Sequence, residues 1–302
     1  MSKGPYRYTA YRLAIDSEIA LPELRTGDSD AIADVTIRRG SVAADGFDGA
    51  TQIGPFLRSS PRALWLEVPK VARFLIEDGD TITVDAAPGI DDASVRVFLL
   101  GSAFGALLFQ RKWLVLHGNA VAIDDACLVC VGPSGAGKST LAAALVQRGH
   151  ALLADDVVPI NGEGNALPGQ ARIKLWRDAA QHLKVDTTPL NRVRPQLEKF
   201  NLPAAQAISD RALPLRWVYI LQQHPRDTFV FEPIRGMHRL APLRANTYRN
   251  RFLAGMQLQA HHLQQCASLA NRIRLVRVTR PSQGFRLNEL ADRILEDARA
   301  HA

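Results

Sequence analysis

One stretch of the 302-residue chain limits its fold more than any other: Gly132-Pro133-Ser134-Gly135-Ala136-Gly137-Lys138-Ser139-Thr140. It satisfies G-x-x-x-x-G-K-[ST], in which backbone N–H groups wrap phosphates, a lysine adds mobile positive charge and the next hydroxyl reaches Mg²⁺. Such a loop needs a buried strand before it and a helix after it. Cys127-Leu128-Val129-Cys130-Val131 is the apolar run expected of a strand covered on both faces. Lys138 to Arg148 carries helix formers with apolar spacing at Leu141, Ala144 and Leu145, and Gly149 follows as a helix-ending glycine. A glycine-rich turn with a chance Gly-Lys-Ser would not bring that order with it. All nine loop residues are therefore candidate nucleotide contacts, with ATP and Mg²⁺ as the expected cofactors, and the fold class is α/β.

Directly behind the loop, Ala151-Leu152-Leu153-Ala154 reads as a second buried strand, expected to end at Asp155-Asp156. Adjacent carboxylates are costly to bury uncompensated, so they should face a metal, a cation or solvent. Because neighbouring strand residues point to opposite faces, or splay at a strand end, the two need not share one task. One can hold Mg²⁺ together with Ser139 while the other accepts a proton from an attacking hydroxyl. The bland alternative is an acidic strand-end turn. His117 lies in the strand-like stretch Trp113 to Ile123, and taken alone a histidine there is more often structural.

Ahead of this core the pattern changes. Tyr8 to Ile15 alternates like a strand, Ser17 to Leu24 reads as a turn and short extension, and Ile32 to Arg39 and Ala63 to Val68 are strand-like. Arg73 to Glu77 and Thr81 to Val84 flank Asp78-Gly79-Asp80 as a hairpin. A small β-rich domain is expected over residues 1–90 and the catalytic domain over 91–302, with Asp91 or Asp92 capping the first helix of the latter. The apolar run Val97 to Phe109 is shorter than the roughly 20 residues of a membrane span and reads as a buried helix. With three cysteines and no apolar leader core at the start, the expectation is a cytosolic protein without disulfides or a membrane anchor.

Charge is uneven. Residues 1–100 hold 11 Lys/Arg against 15 Asp/Glu and the remainder 26 against 15, so the basic excess lies in the part that carries the phosphate loop. A basic face steering an acidic peptide or protein would use it, and so would a solvated arginine-rich surface. Nucleic acid is not expected, because the Arg-rich segments at 235–251 and 272–280 lack interleaved aromatics and recognition modules. Self-association is left open.

Leu116-His117-Gly118, the loop from Gly132 to Thr140, Gln147-Arg148-Gly149-His150 and Ala154-Asp155-Asp156 together resemble the catalytic domain of bacterial HPr kinase/phosphorylase. The resemblance is dense over about 113–160 and loose beyond. It implies a P-loop kinase core of the HPr kinase/phosphoenolpyruvate carboxykinase type, with phosphoryl transfer to a serine. It also implies Asp155 as catalytic base, Asp156 as its partner and metal ligand, His117 as a residue of the catalytic pocket, and Lys138 and Ser139 as phosphate and Mg²⁺ ligands. The likeness does not extend to the family's Glu-x-Arg-Gly-x-Gly segment or its phosphorolysis loop. Instead, Ser17-Glu18-Ile19-Ala20-Leu21-Pro22-Glu23-Leu24, the run Leu167 to Trp176, and Asn246-Thr247-Tyr248-Arg249 resemble the HPr-kinase-related kinases of lasso-peptide precursors. That likeness implies the carboxy-terminal serine of a precursor peptide as acceptor; a phosphocarrier protein or a small hydroxyl compound are the alternatives.

Arg172, Arg244 and Arg249 are candidates to offset charge on the transferring group, and Trp176 to line the substrate path, although any one arginine is more often a surface residue. Cys127 and Cys130 would point to opposite faces of a strand, which argues against a metal or redox pair. His262 and Cys266 share a face of a helix expected over Arg251 to Arg272, too few ligands for zinc. The remaining tryptophans, Trp65, Trp113 and Trp217, read as core anchors. A nucleotide switch, a transport ATPase or a nucleotide-binding module would use the same loop, but N-K-x-D and L-S-G-G-Q are both missing.

Overall fold

The structure, a computed structural model, describes residues 5–170, 172–193, 197–203 and 211–301. Ala171, within the Leu167 to Trp176 run, lies outside the described residues. Backbone packing divides the chain into two compact units. One is Met1–Val115 with Tyr248–Gln264, the other Leu116–Thr247 with Gln265–Ala302. The expected division stood at residue 90.

The first unit is β-rich. Its strands are β1 (Tyr6–Ala10), β2 (Leu13–Ser17), β3 (Arg25–Thr26), β4 (Val35–Arg39), β5 (Thr51–Gly54), β6 (Leu57–Ser59), β7 (Ala63–Val68), β8 (Ala72–Glu77) and β9 (Thr81–Ala86). They form one nine-stranded sheet in the order β3-β1-β2-β4-β9-β8-β7-β6-β5. The β8–β9 hairpin turns through Asp78-Gly79-Asp80, a three-residue loop in which Asp78 and Gly79 take the left-handed φ of 52° and 74°. The single strand expected over Tyr8 to Ile15 is instead a second hairpin. Tyr11 and Arg12 take φ of 56° and 61° and fold β1 onto β2. Burial of the Tyr11 ring, 6.0 Å from Phe104, compensates for the left-handed backbone of residues that alternation alone would leave extended.

A continuous helix, Asp92–Gln110, follows; it has the length and composition of a membrane span, yet 72% of its apolar window is buried inside the structure. Asp91 caps it, accepting a hydrogen bond from Ser94 N at 2.8 Å. Gly105 is required where the Tyr248 ring crosses the helix, since a Cβ there would lie 2.6 Å from Tyr248 Cε1. The helix packs on β8 within the first unit rather than opening the second.

Nine further strands follow. They are β10 (Leu114–Ile123), β11 (Ala126–Val131), β12 (Leu152–Ile160), β13 (Asn165–Ala166), β14 (Arg172–Trp176), β15 (Lys199–Pro203), β16 (Leu213–His224), β17 (Val230–Pro233) and β18 (Arg274–Pro281). Seven form a mixed sheet in the order β11-β10-β12-β13-β16-β18-β17, with β11 also pairing β16, while β14 and β15 make a separate ribbon. β11, β16 and β18 run parallel, so their carboxyl ends lie together where ligands bind on open α/β sheets. Helices Lys138–Gln147 and Leu287–Arg299 pack against each other and bury Leu141, Leu145, Leu290 and Ile294 with Leu128 and Val276 of the sheet. Gly149, at φ 91°, ends the first of these helices, and its N–H bonds Val146 O while that of His150 returns to Leu145 O.

The helix expected over Arg251 to Arg272 is two helices, Arg251–Gly255 and Gln259–Ala270, broken at Gln257 with φ of 57°. His262 and Cys266 are buried, and no cluster of metal-ligating side chains occurs among the described residues. Trp65 and Trp217 are core residues, Trp113 is half-buried, and Trp176 is 49% exposed.

β10 and β11 approach so closely that a Cβ at Gly118 would stand 2.4 Å from the Cys130 carbonyl oxygen. Backbone cannot yield as a flexible side chain does. Gly118→Ala is expected to cost about 1–3 kcal/mol, read as a fall of several degrees in the thermal midpoint by circular dichroism; an unchanged midpoint would count against this packing.

Candidate active site

β11 is buried along its whole length and delivers the loop at its carboxyl end. Gly132, Gly135 and Gly137 have φ of 138°, 82° and 99°, where side chains are disfavoured. At Gly132 a Cβ would also lie 2.5 Å from Leu221 O of β16. The loop's carbonyl groups are tied back by donors. Lys138 Nζ donates to Gly132 O at 2.8 Å and Pro133 O at 3.1 Å, Gln223 Nε2 to Gly135 O at 3.2 Å, and Arg280 Nε to Ala136 O at 3.2 Å. Oxygens that would repel an anion are thereby occupied, and the amino end of helix Lys138–Gln147 adds its unpaired N–H groups and dipole. Burial lowers the Lys138 ammonium from its ordinary pKa, against the pull of Asp156 and Asp155.

The acidic pair does not end its strand as expected. β12 continues through it to Ile160, although Asp156 takes φ of 72° and so interrupts the pleat locally. Strand neighbours would ordinarily face opposite ways, whereas both carboxylates here line one cavity of about 880 Å³ empty volume. Asp155 is only 3% exposed. Its carboxylate accepts from the Asn119 side-chain amide and from Lys174 N at 2.9 Å, and Ser139 Oγ stands 3.5 Å from Oδ1. Asp156 faces two partners. Lys174 Nζ lies 3.1 Å from Oδ2 and His117 Nδ1 3.3 Å from Oδ1, the imidazole also lying 3.1 Å from the Asp156 carbonyl oxygen.

These environments separate two chemically identical groups. Burial pushes the Asp155 carboxyl up to about 6, with Lys174 opposing and Asp156 adding to the rise. Burial also penalises charge on Asp156, but Lys174 and His117 overcome it and hold that carboxyl well below the usual carboxylate range. Divergent carboxyl pairs of this kind mark acid–base sites.

The cavity gathers His117, Lys138, Ser139, Asp155, Asp156 and Trp176, together with the loop residues Ser134, Gly135, Gly137 and Thr140. Gly132, Pro133 and Ala136 belong to the loop's scaffold, and Ala136 is buried. Arg172 shares its face of β14 with Lys174 and Trp176 without lining the cavity, Arg244 is exposed at the end of helix Leu240–Ala245, and Arg249 lies in the other compact unit. Four polar lining residues had escaped notice in the sequence: Asn119, Lys174, Asp178 and Lys199. The alternation of Arg172-Ile173-Lys174-Leu175-Trp176 places Lys174 on the polar face, but which way that face turns is a matter of tertiary packing. Lys199 enters through its register with Trp176, its ammonium 5.6 Å from the indole centroid.

Residues 111–179 match the family profile described as "HPr Serine kinase C-terminal domain", a segment that holds His117, the loop, the acidic pair and Lys174. Over this segment the chain is similar to HPr kinase/phosphorylase. The enzyme of that name from Mycoplasmopsis pulmonis is 38% identical over 74 residues, 24% of this chain and 24% of the relative. The one from Chlorobium phaeobacteroides is 50% identical over 48 residues, 16% of this chain and 14% of the relative. The matches thus span about a quarter or less of these relatives' length. The Hpr(Ser) kinase/phosphatase structure from Coxiella burnetii aligns with 62% of this chain and 89% of its own, at 15% identity and a TM-score of 0.32.

A carboxyl raised in the folded state binds its proton more tightly there than in the unfolded chain, so stability falls as pH rises from about 4 through about 6 and then levels off. In metal-free buffer, Asp155→Asn is therefore expected to melt a few degrees above the parent at pH 8, with the advantage gone near pH 4. A variant that melts lower at both values would mean that the carboxylate stabilises the fold.

Proposed function

We propose that the chain is an ATP- and Mg²⁺-dependent kinase that phosphorylates a serine hydroxyl, with the carboxy-terminal serine of a ribosomally made, lasso-type precursor peptide as its acceptor. The observation that carries this reading is Asp155, a buried carboxyl near pKa 6 set 3.5 Å from the hydroxyl of Ser139 in the phosphate loop. A base with a pKa close to working pH takes a proton readily and returns it readily. Asp155 would receive the serine proton as that oxygen attacks the γ-phosphorus, while Lys138 and the loop N–H groups hold the phosphates. Lys174 and His117 would keep Asp156 ionised and oriented.

Ser139, Asp156 and the adjacent Asp155 offer hard oxygen donors on one cavity, a set suited to Mg²⁺, which commonly takes one or two carboxylates and completes its shell with phosphates and water. Ser139 and Asp156 would hold the ion. Bound there, it would neutralise charge on the phosphates. Lys199, beside the exposed Trp176 ring in the lining, suits an acidic or serine-ended peptide, and the three buried cysteines, none of them disulfide-bonded, suit the reducing cytosol. A phosphocarrier protein is the second reading, favoured by the names of the relatives that match the site segment.

Incubation with γ-labelled ATP and a serine-ended acidic peptide, a phosphocarrier protein or no acceptor separates these readings. Label on the peptide supports the first and label on the carrier the second; free phosphate alone would sink both in favour of an ATPase. Asp155→Asn is expected to slow transfer by about 10²- to 10⁴-fold while ATP still binds. Lys138→Ala is expected to weaken ATP binding itself.

A further inference from the structure

Three of the four basic side chains that line the cavity around Asp155 are already matched. Lys138 donates to two loop carbonyl groups, and Lys174 and His117 both lie against Asp156. Lys199 is the exception: it is half-buried and makes no ion pair among the described residues. Its charge nevertheless reaches both ends of the site. It adds to burial in lowering the Lys138 ammonium, and after Lys174 it opposes the burial that raises the Asp155 carboxyl. A partly desolvated ammonium without a counter-charge is costly, and an anion brought by a ligand offsets that cost.

Two observations assign that anion to the acceptor rather than to the nucleotide. The phosphates have donors of their own in the loop N–H groups, Lys138 and the amino end of helix Lys138–Gln147, whereas Lys199 enters from the β14–β15 ribbon, in register with Trp176. The Trp176 ring, 49% exposed and 5.6 Å from the Lys199 ammonium, also forms a lip. With Asp178 it lines both this cavity and a second, open depression that Arg177, Gln181 and Glu198 complete. Glu198 is neutralised there by Arg177 at 2.8 Å. Asp178 is exposed on the lip and does not pair with Lys199, which lines the inner cavity alone. A chain lying in the depression would cross the indole and meet Lys199 in the surroundings of Asp155.

We propose that Lys199 binds a carboxylate of the acceptor next to the hydroxyl that is phosphorylated, with the Trp176 indole covering the preceding residue, so that the site selects a serine ending its chain in a free carboxylate. The proposal rests on the serine-ended peptide reading given above and names the group that reads the end. In a carboxy-terminal serine, hydroxyl and carboxylate are joined through Cβ and Cα alone. A residue that brings its hydroxyl to Asp155 therefore brings its carboxylate into the same surroundings. A carboxy-terminal amide carries no charge and leaves the ammonium unmatched.

Rates of phosphoryl transfer from ATP with Mg²⁺, measured for one serine-ended peptide made as the free acid and as the carboxy-terminal amide, test it. On the unaltered chain, kcat/KM for the acid should exceed that for the amide about 10- to 100-fold. Lys199→Gln should remove most of that ratio, and Lys199→Arg, which keeps the positive charge, should retain it. An amide as good as the acid, or a ratio that survives Lys199→Gln, would overturn the proposal and leave the peptide-kinase reading standing. Calorimetric binding of ATP with neither peptide labelled would remove the peptide-acceptor reading and the carboxylate site with it. The comparison of acid with amide on the unaltered chain needs no variant to fold.

Discussion

The carboxylate of Asp155, almost sealed from water between β10, β14 and the helix that follows the glycine-rich loop, is costly to bury, and its neighbours are arranged around it. An isolated buried charge would be prohibitive. Its proton affinity is raised instead, and two neutral donors, the Asn119 amide and Lys174 N–H, satisfy its oxygens. Asp156 meets the same desolvation with cationic company and stays ionised. Lys174 serves both residues, its backbone holding one and its ammonium the other. Burial around Asp155, and the company of Lys174 and His117 around Asp156, thus set two adjacent carboxyls apart.

The phosphate loop depends on long-range contacts in the same way. Its glycines permit the wrap, but Gln223 at the end of β16 and Arg280 at the end of β18 hold its carbonyl groups back. This works because β11, β16 and β18 are parallel and end on the same side. The close approach of the Gly132 backbone to Leu221 O belongs to the same arrangement.

Elements with strong local signals were legible in the residues alone. The Asp78-Gly79 hairpin, the Asp91 cap and the Gly149 stop each rest on an interaction within a few residues. At three places where an expected strand or helix departs from the structure, a left-handed residue other than glycine marks the break: Tyr11 and Arg12 in the first hairpin, Asp156 within β12, Gln257 in the broken helix. Such conformations carry a steric cost that local preference cannot foresee, and they persist where surrounding contacts compensate for it. The Tyr11 ring against Phe104 is one such contact, and Lys174 and His117 around Asp156 form another.

By itself the sequence marked the contiguous part of the candidate site. The glycine pattern from 132 to 140, the lysine and hydroxyl at its end and the carboxyl pair at 155–156 are contiguous, so their chemistry can be read from spacing. Only the tertiary structure decided what surrounds them. Lys174 and Lys199 come from facing strands of a ribbon, Arg280 from the far end of the chain, and Asn119 from β10. None of these is recognisable by spacing, because strand alternation says that a side chain is polar-facing without saying what it faces. The raised proton affinity of Asp155 likewise belongs to the fold, since it arises from burial, and burial is a property of everything packed around the residue.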